Sequence, residues 1–165
     1  MNDQTKTAGT TKAKIVIERT YRARVEELWA LWTTKEGFES WWGPEGFRVE
    51  VHTLDARLGG TLYYDMIADA PDQIAAMKRM GHPTSHETRG TFTEIKPHER
   101  LALTHLIDFL PGVTPYKSTM TVAFFTAGGS VRMVVTLDPM NSDEVSKMQA
   151  AGFTSQLTKL DKRFG

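Results

Sequence analysis

Residues 25–44 read VEELWALWTTKEGFESWWGP. Val25, Leu28, Trp29 and Trp32 fall at i, i+3, i+4 and i+7, one face of an amphipathic helix. Thr33 and Glu36 have the Thr-x-x-Glu spacing of a capping box, which predicts a second short helix carrying Phe38, Trp41 and Trp42. Gly43-Pro44 ends it, because proline has no N–H to continue the ladder. Two short helices in tandem, rich in tryptophan, are thus set early in the chain.

On either side of this stretch the period changes from 3.6 to 2. Upstream, Ile15, Ile17 and Tyr21 share one face of a predicted strand. Downstream, Phe47, Val49 and Val51 alternate with Arg48, Glu50 and His52, the pattern of a half-buried strand. Gly59-Gly60 marks a turn or bulge, after which Leu62, Tyr64 and Met66 share a face. Further strands are predicted over 90–95, 101–109, 117–126 and 130–137. Lys96-Pro97-His98-Glu99 is a turn between two of them, and Gly128-Gly129 suits a tight hairpin. One segment interrupts this pattern: Pro71 and Gly81 bracket a short inserted helix with Ile74, Met77 and Met80, a candidate lid. The last helix begins at Asn141 or Ser142, with Asp143 and Glu144 near its positive end. Its apolar stripe is Val145, Met148, Phe153, Leu157, Leu160 and Phe164. Gly152 lies inside it, at a cost of about 1 kcal/mol relative to alanine, and close approach to a sheet is the expected compensation. Helices segregated from a run of antiparallel strands define an α+β fold.

Composition bounds the function. The chain has 165 residues, enough to bury roughly 70% of its unfolded surface as one domain. It has no cysteine, so disulfides, thiol nucleophiles and cysteine–zinc sites are excluded. Twenty basic and twenty acidic residues cancel, which argues against a nucleic-acid surface. Residues 1–12 are polar and read as a disordered tail before a domain spanning 13–165. No apolar run suits a secretory signal or a membrane span, so a cytoplasmic location is expected.

The order of these pieces resembles the helix-grip fold of the START/Bet v 1-like (SRPBCC) superfamily. Within it, the chain is similar to the C-terminal domain family of the activator of Hsp90 ATPase. The matching pieces are Val25-Glu26-Glu27-Leu28-Trp29, Trp41-Trp42-Gly43-Pro44, Leu58-Gly59-Gly60, residues 90–95, Pro97-His98-Glu99-Arg100-Leu101, and Gly152-Phe153 with Leu157 and Leu160. The resemblance implies a curved antiparallel sheet wrapped around a long C-terminal helix, with a cavity between them. It also implies a hydrophobic or aromatic small-molecule ligand. Chaperone-activating members carry a separate N-terminal domain, for which residues 1–12 leave no room. Chaperone regulation is therefore an alternative and not the leading expectation.

The candidate lining is Tyr64, Met66, Phe92, Leu103, His105, Met120, Phe124, Met133, Phe153 and Leu157, with Trp41 and Trp42 at the mouth and Met77 on the lid. Aromatics and adaptable methionines suit an apolar ligand; the competing reading is a filled core. His105, in an otherwise apolar strand, is the candidate acid or base of a cyclase or dehydratase, with Tyr64 as a donor. More often such a histidine is merely hydrogen-bonded to a neighbour. No metal or cofactor is expected: His82 and His86 are separated by Pro83, and there is no phosphate loop, nucleophile elbow or paired-carboxylate motif. Glu94, Asp65, Asp108 and Arg132 are expected on the solvated outer face. A homodimer is allowed, with an exposed Trp41 or Trp42 as the first place for its interface.

Overall fold

A computed structural model describes residues 14–108, 112–140 and 142–164. The tail over 1–12, the strand end at Phe109 and the cap assigned to Asn141 lie outside the described residues. The chain runs β1 (Ile15–Tyr21), α1 (Val25–Thr33), α2 (Lys35–Glu39), β2 (Phe47–Leu54), β3 (Thr61–Ala68), α3 (Pro71–Arg79), β4 (Ser85–Lys96), β5 (Arg100–Ile107), β6 (Tyr116–Ala127), β7 (Ser130–Leu137) and α4 (Asp143–Phe164). Seven strands form one antiparallel sheet in the order β1-β7-β6-β5-β4-β3-β2. Only β1 is placed out of sequence, so most pairings are hairpins or short connections. Register shifts in β2 at Val51/Thr53 and in β4 at Phe92/Glu94 bend the sheet, which curves around α4. This is the helix-grip arrangement.

The helix signals need one adjustment. The cap of α2 is Thr34, whose hydroxyl accepts from Gly37 N at 3.0 Å, while the Thr33 hydroxyl turns back to Trp29 O. The expected Thr33–Glu36 box is therefore one residue out of phase. Instead Glu27 closes the start of α1, its carboxylate accepting from Arg24 N at 3.0 Å. Helix α2 ends at Glu39, so Trp41 and Trp42 follow it in a turn. At the other end of the chain, the Ser142 hydroxyl accepts from Val145 N at the start of α4.

Both tryptophans are buried, which removes Trp41 and Trp42 as a surface for a second copy. Trp32, Trp41 and Trp42 pack with ring centroids 5.0–5.4 Å apart, near edge-to-face. Phe38 stacks on Trp42 at 4.5 Å, and Phe153 of α4 closes the cluster. The Trp41 indole N–H donates to Leu31 O at 2.9 Å, so its single polar atom is satisfied inside the core. Trp29 sits half-buried against Phe124 and His98. The outer face carries the charges, as expected: Glu94 pairs with Arg100, Arg132 with Glu18, and Asp65 with His52.

Candidate functional site

The inner face of the sheet is divided along the length of its strands. Register alignment places Phe92, Leu103, Met120 and Leu137 in one transverse row across β4, β5, β6 and β7. The neighbouring row is Leu62, Gly90, His105 and Ser118, and beyond it come Tyr64 with Thr88 and Met66 with His86. On one side of the divide, beyond Met120 at the boundary, the rows are apolar and packed except at the β1 edge, where Arg19 pairs with Asp161 of α4. On the other they carry polar groups and methionines, and there the sheet and α4 stand apart. A cavity of about 410 Å³ fills the gap, within the usual size range of small-molecule sites.

Of the thirteen residues expected at the site, seven border this cavity: Trp42, Tyr64, Met66, Met77, His105, Met120 and Phe153. The other six do not. Trp41 belongs to the aromatic cluster, Phe92 and Leu103 lie in the packed rows, Phe124 and Met133 pair two rows further on, and Leu157 lies under the α4 stripe. All six are buried, the four strand residues facing inward as their alternation requires, but at the filled end. A charge at Met133, which is 1% exposed, would be buried in the packed interior and would cost stability directly, so it is no probe of the cavity.

Helix α4 supplies the opposite wall through Val145, Met148, Gln149, Gly152, Phe153 and Gln156. The close approach expected at Gly152 is absent: a Cβ there would meet nothing within 4 Å, because the glycine faces the cavity. Met148, 66% exposed, stands where the cavity reaches the surface. Helix α3 buries none of its residues fully; Met77 borders the cavity while Met80 points to solvent.

The turn after Trp42 is fastened to α4. Gly43 N donates to Gln156 Oε1 at 3.0 Å, Lys159 Nζ donates to Gly43 O at 2.8 Å, and Glu45 N donates to Ser155 Oγ at 3.0 Å. Partial burial of Lys159 lowers its pKa. Gly43 has φ +101°, and a side chain there would also press on Met66 Sδ, 3.3 Å from its Cβ, so this tight turn needs glycine.

Three polar side chains line up at the divide. The Trp42 indole N–H donates to the Tyr64 hydroxyl at 3.0 Å, and that hydroxyl lies 3.4 Å from His105 Nε2. With one lone pair taken by Trp42, the Tyr64 proton is directed towards His105, which favours an unprotonated Nε2. Burial alone lowers the His105 pKa to about 4, so the imidazole is neutral at pH 7. Burial also raises the Tyr64 pKa, against the smaller opposing effects of Trp42 and Thr88. Gly90 lies opposite the ring: a Cβ there would sit 3.3 Å from Thr104 O and in contact, at 3.4 Å, with His105 Cδ2.

Sequence reasoning missed Gln149, Gln156 and Ser118, and the polar strand start carrying His86 and Thr88. The available signal was the glutamines' spacing: Gln149 and Gln156 share one helical face with Phe153. Residues 85–89 alternate without apolar residues, so no hydrophobic period marked them.

Fold and cavity together define a helix-grip protein of the START/Bet v 1-like superfamily. Residues 22–165 match the family described as Activator of Hsp90 ATPase homolog 1-like protein, and the chain belongs to that family. Solved structures with the same fold include a Chromobacterium violaceum protein, 21% identical with a TM-score of 0.73, covering 92% of this chain and 96% of that one. An AHSA1 protein from Silicibacter pomeroyi is 23% identical with a TM-score of 0.71 over 92% and 96% of the two chains. An AHSA1-like protein from Aeromonas hydrophila is 18% identical with a TM-score of 0.66 over 92% and 94%. No curated protein matches the chain. Among the described residues, no helix is long and apolar enough to cross a membrane.

Proposed function

We propose that the protein binds a small, largely apolar molecule in the cavity between the sheet and α4. The observation that supports this is the cavity itself, about 410 Å³ and walled by Trp42, Met66, Met77, Met120 and Phe153 in a domain whose remaining interior is packed. Apolar burial drives binding at about 25 cal/mol per Å², less the ordering cost. Methionine on three sides lets the wall adapt to the ligand's outline. A cyclase or dehydratase would use the same cavity with His105 as base. A base with a pKa of about 4 is weak at pH 7, which favours binding over catalysis. A regulatory role towards a chaperone rests on the family's description alone.

The test is native mass spectrometry of protein purified without denaturation, alongside a Gly152→Phe variant that fills the cavity from α4. A retained small molecule in the wild type that is lost in the folded variant is the expected result. Retention at equal stoichiometry in the variant would place the molecule elsewhere and reject the reading.

A further inference from the structure

Among the described residues, three polar atoms around the cavity have no partner: Ser118 Oγ, Gln149 Oε1 and Gln156 Nε2. Ser118 is 5% and Gln156 4% exposed, so bulk water does not readily serve them. Burying such groups unpaired costs about 1–3 kcal/mol each, and natural interiors rarely tolerate it. The fourth unpartnered atom, Trp32 Nε1, lies away from the cavity; the other three residues all border it.

The orientation of the Gln156 amide is fixed by its neighbour. Gly43 N–H donates to Oε1, and only an oxygen can accept there, so Nε2 is the end left free. It is a donor with no acceptor among the described residues. No aspartate, glutamate, lysine or arginine borders the cavity among the described residues. The wall's two imidazoles, His86 and His105, are both held towards the neutral form by burial, so the wall offers no fixed charge to a buried ionic ligand group. Ser118 lies directly across from His105 in the β5–β6 register, which gives the sheet wall a hydroxyl beside a neutral ring.

We infer that the ligand is uncharged and carries a carbonyl-type acceptor oxygen held by Gln156 Nε2, with its apolar body against Met66, Met120 and Phe153. This rests on the cavity-binding reading above and adds the ligand's polarity and the residue that selects it. Gln156 couples the ligand to the fold: the same amide that donates to the ligand accepts from Gly43 and holds the Trp42–Gly43 turn. Ser118 takes a second polar substituent on the opposite wall. Gln149 and Gln156 are two helical turns apart, about 10 Å at 1.5 Å per residue, so a ligand reaching both is an elongated one.

A matched probe series separates the two levels of the argument: naphthalene, 2-acetylnaphthalene and 2-naphthoate, measured by equilibrium dialysis against the wild type, Gln156→Glu and Gln156→Met. Glutamate keeps an acceptor for Gly43 and, in its ionised form, has no donor. Methionine is near-isosteric and removes both, so one variant remains informative should the other misfold. The wild type is expected to prefer 2-acetylnaphthalene over naphthalene by roughly five- to tenfold, the value of one neutral hydrogen bond, and to reject the anion. Both variants are expected to lose that preference while retaining naphthalene. Equal binding of the two neutral probes, a preference that survives in both variants, or tight binding of 2-naphthoate would overturn the inference and leave the cavity reading standing. Failure of all three probes to bind the wild type would bring down both.

Discussion

Replacing Gly152 with alanine should stabilise this protein. A glycine well inside the 22-residue α4 loses more backbone entropy on folding than alanine does, and the difference is about 1 kcal/mol. Two structural conditions decide whether that gain is realised. The backbone must be one an L-residue adopts, and Gly152 is not among the positive-φ glycines. The added methyl must have room, and nothing lies within 4 Å of its position. The full propensity term should therefore appear, raising Tm by about 2–4 °C for a domain of this size. Urea unfolding followed by far-UV circular dichroism reads the free energy, and calorimetry reads Tm. A single methyl takes little of a 410 Å³ cavity, so 2-acetylnaphthalene affinity should change by less than about twofold. A neutral or destabilised Gly152→Ala would refute the reasoning, because it would mean that α4 lies against the sheet at this point and that the cavity is narrower than described.

Three further outcomes follow from the same geometry. His105 is held neutral, with its folded pKa near 4 against 6.5 unfolded, so the unfolded chain binds the extra proton first. Its contribution to stability is complete above pH 6.5 and is lost as pH falls towards 4, up to about 3 kcal/mol. His105→Gln should flatten the wild-type slope across that window, and parallel curves for the two proteins would rule the histidine out as its source. Met133→Ala should cost about 2–5 kcal/mol in urea unfolding and leave probe affinity unchanged, since Met133 is buried in the packed rows; a selective loss of binding would put it on the cavity wall. Trp41→Ala should cost about 3–5 kcal/mol, because it empties an indole-sized space and strands the Leu31 carbonyl; a loss under 1 kcal/mol by thermal unfolding would contradict the packing described.

The sequence by itself determined the element types and most of their order. Alternation at Phe47–Val51 and Leu62–Met66, helical spacing at Val25–Trp32, and the hairpin turn at Gly128-Gly129 are local signals, and local backbone physics obeys them, although α2 stops at Glu39, before the Gly43-Pro44 signal. It also determined which side of each strand faces in, because the side-chain period is two. Alternation is silent about position along the strand. Leu103 and His105, or Phe92 and Thr88, share a face, yet one of each pair lies in a packed row and the other borders empty space. That boundary is drawn where α4 lifts from the sheet, a consequence of how helix, turn and curved sheet meet.

The polar half of the site was hidden for a related reason. Residues 85–89 contribute cavity wall instead of packed core, so they carry His86 and Thr88 where a hydrophobic period would have announced a strand. Gln156 looks in sequence like a solvated helix residue; only the turn at Gly43, far away in the chain, makes it buried and fixes which end of its amide faces the cavity. Propensity and periodicity are properties of neighbours in sequence, whereas an unpartnered donor facing an apolar space exists only once distant segments have packed around it.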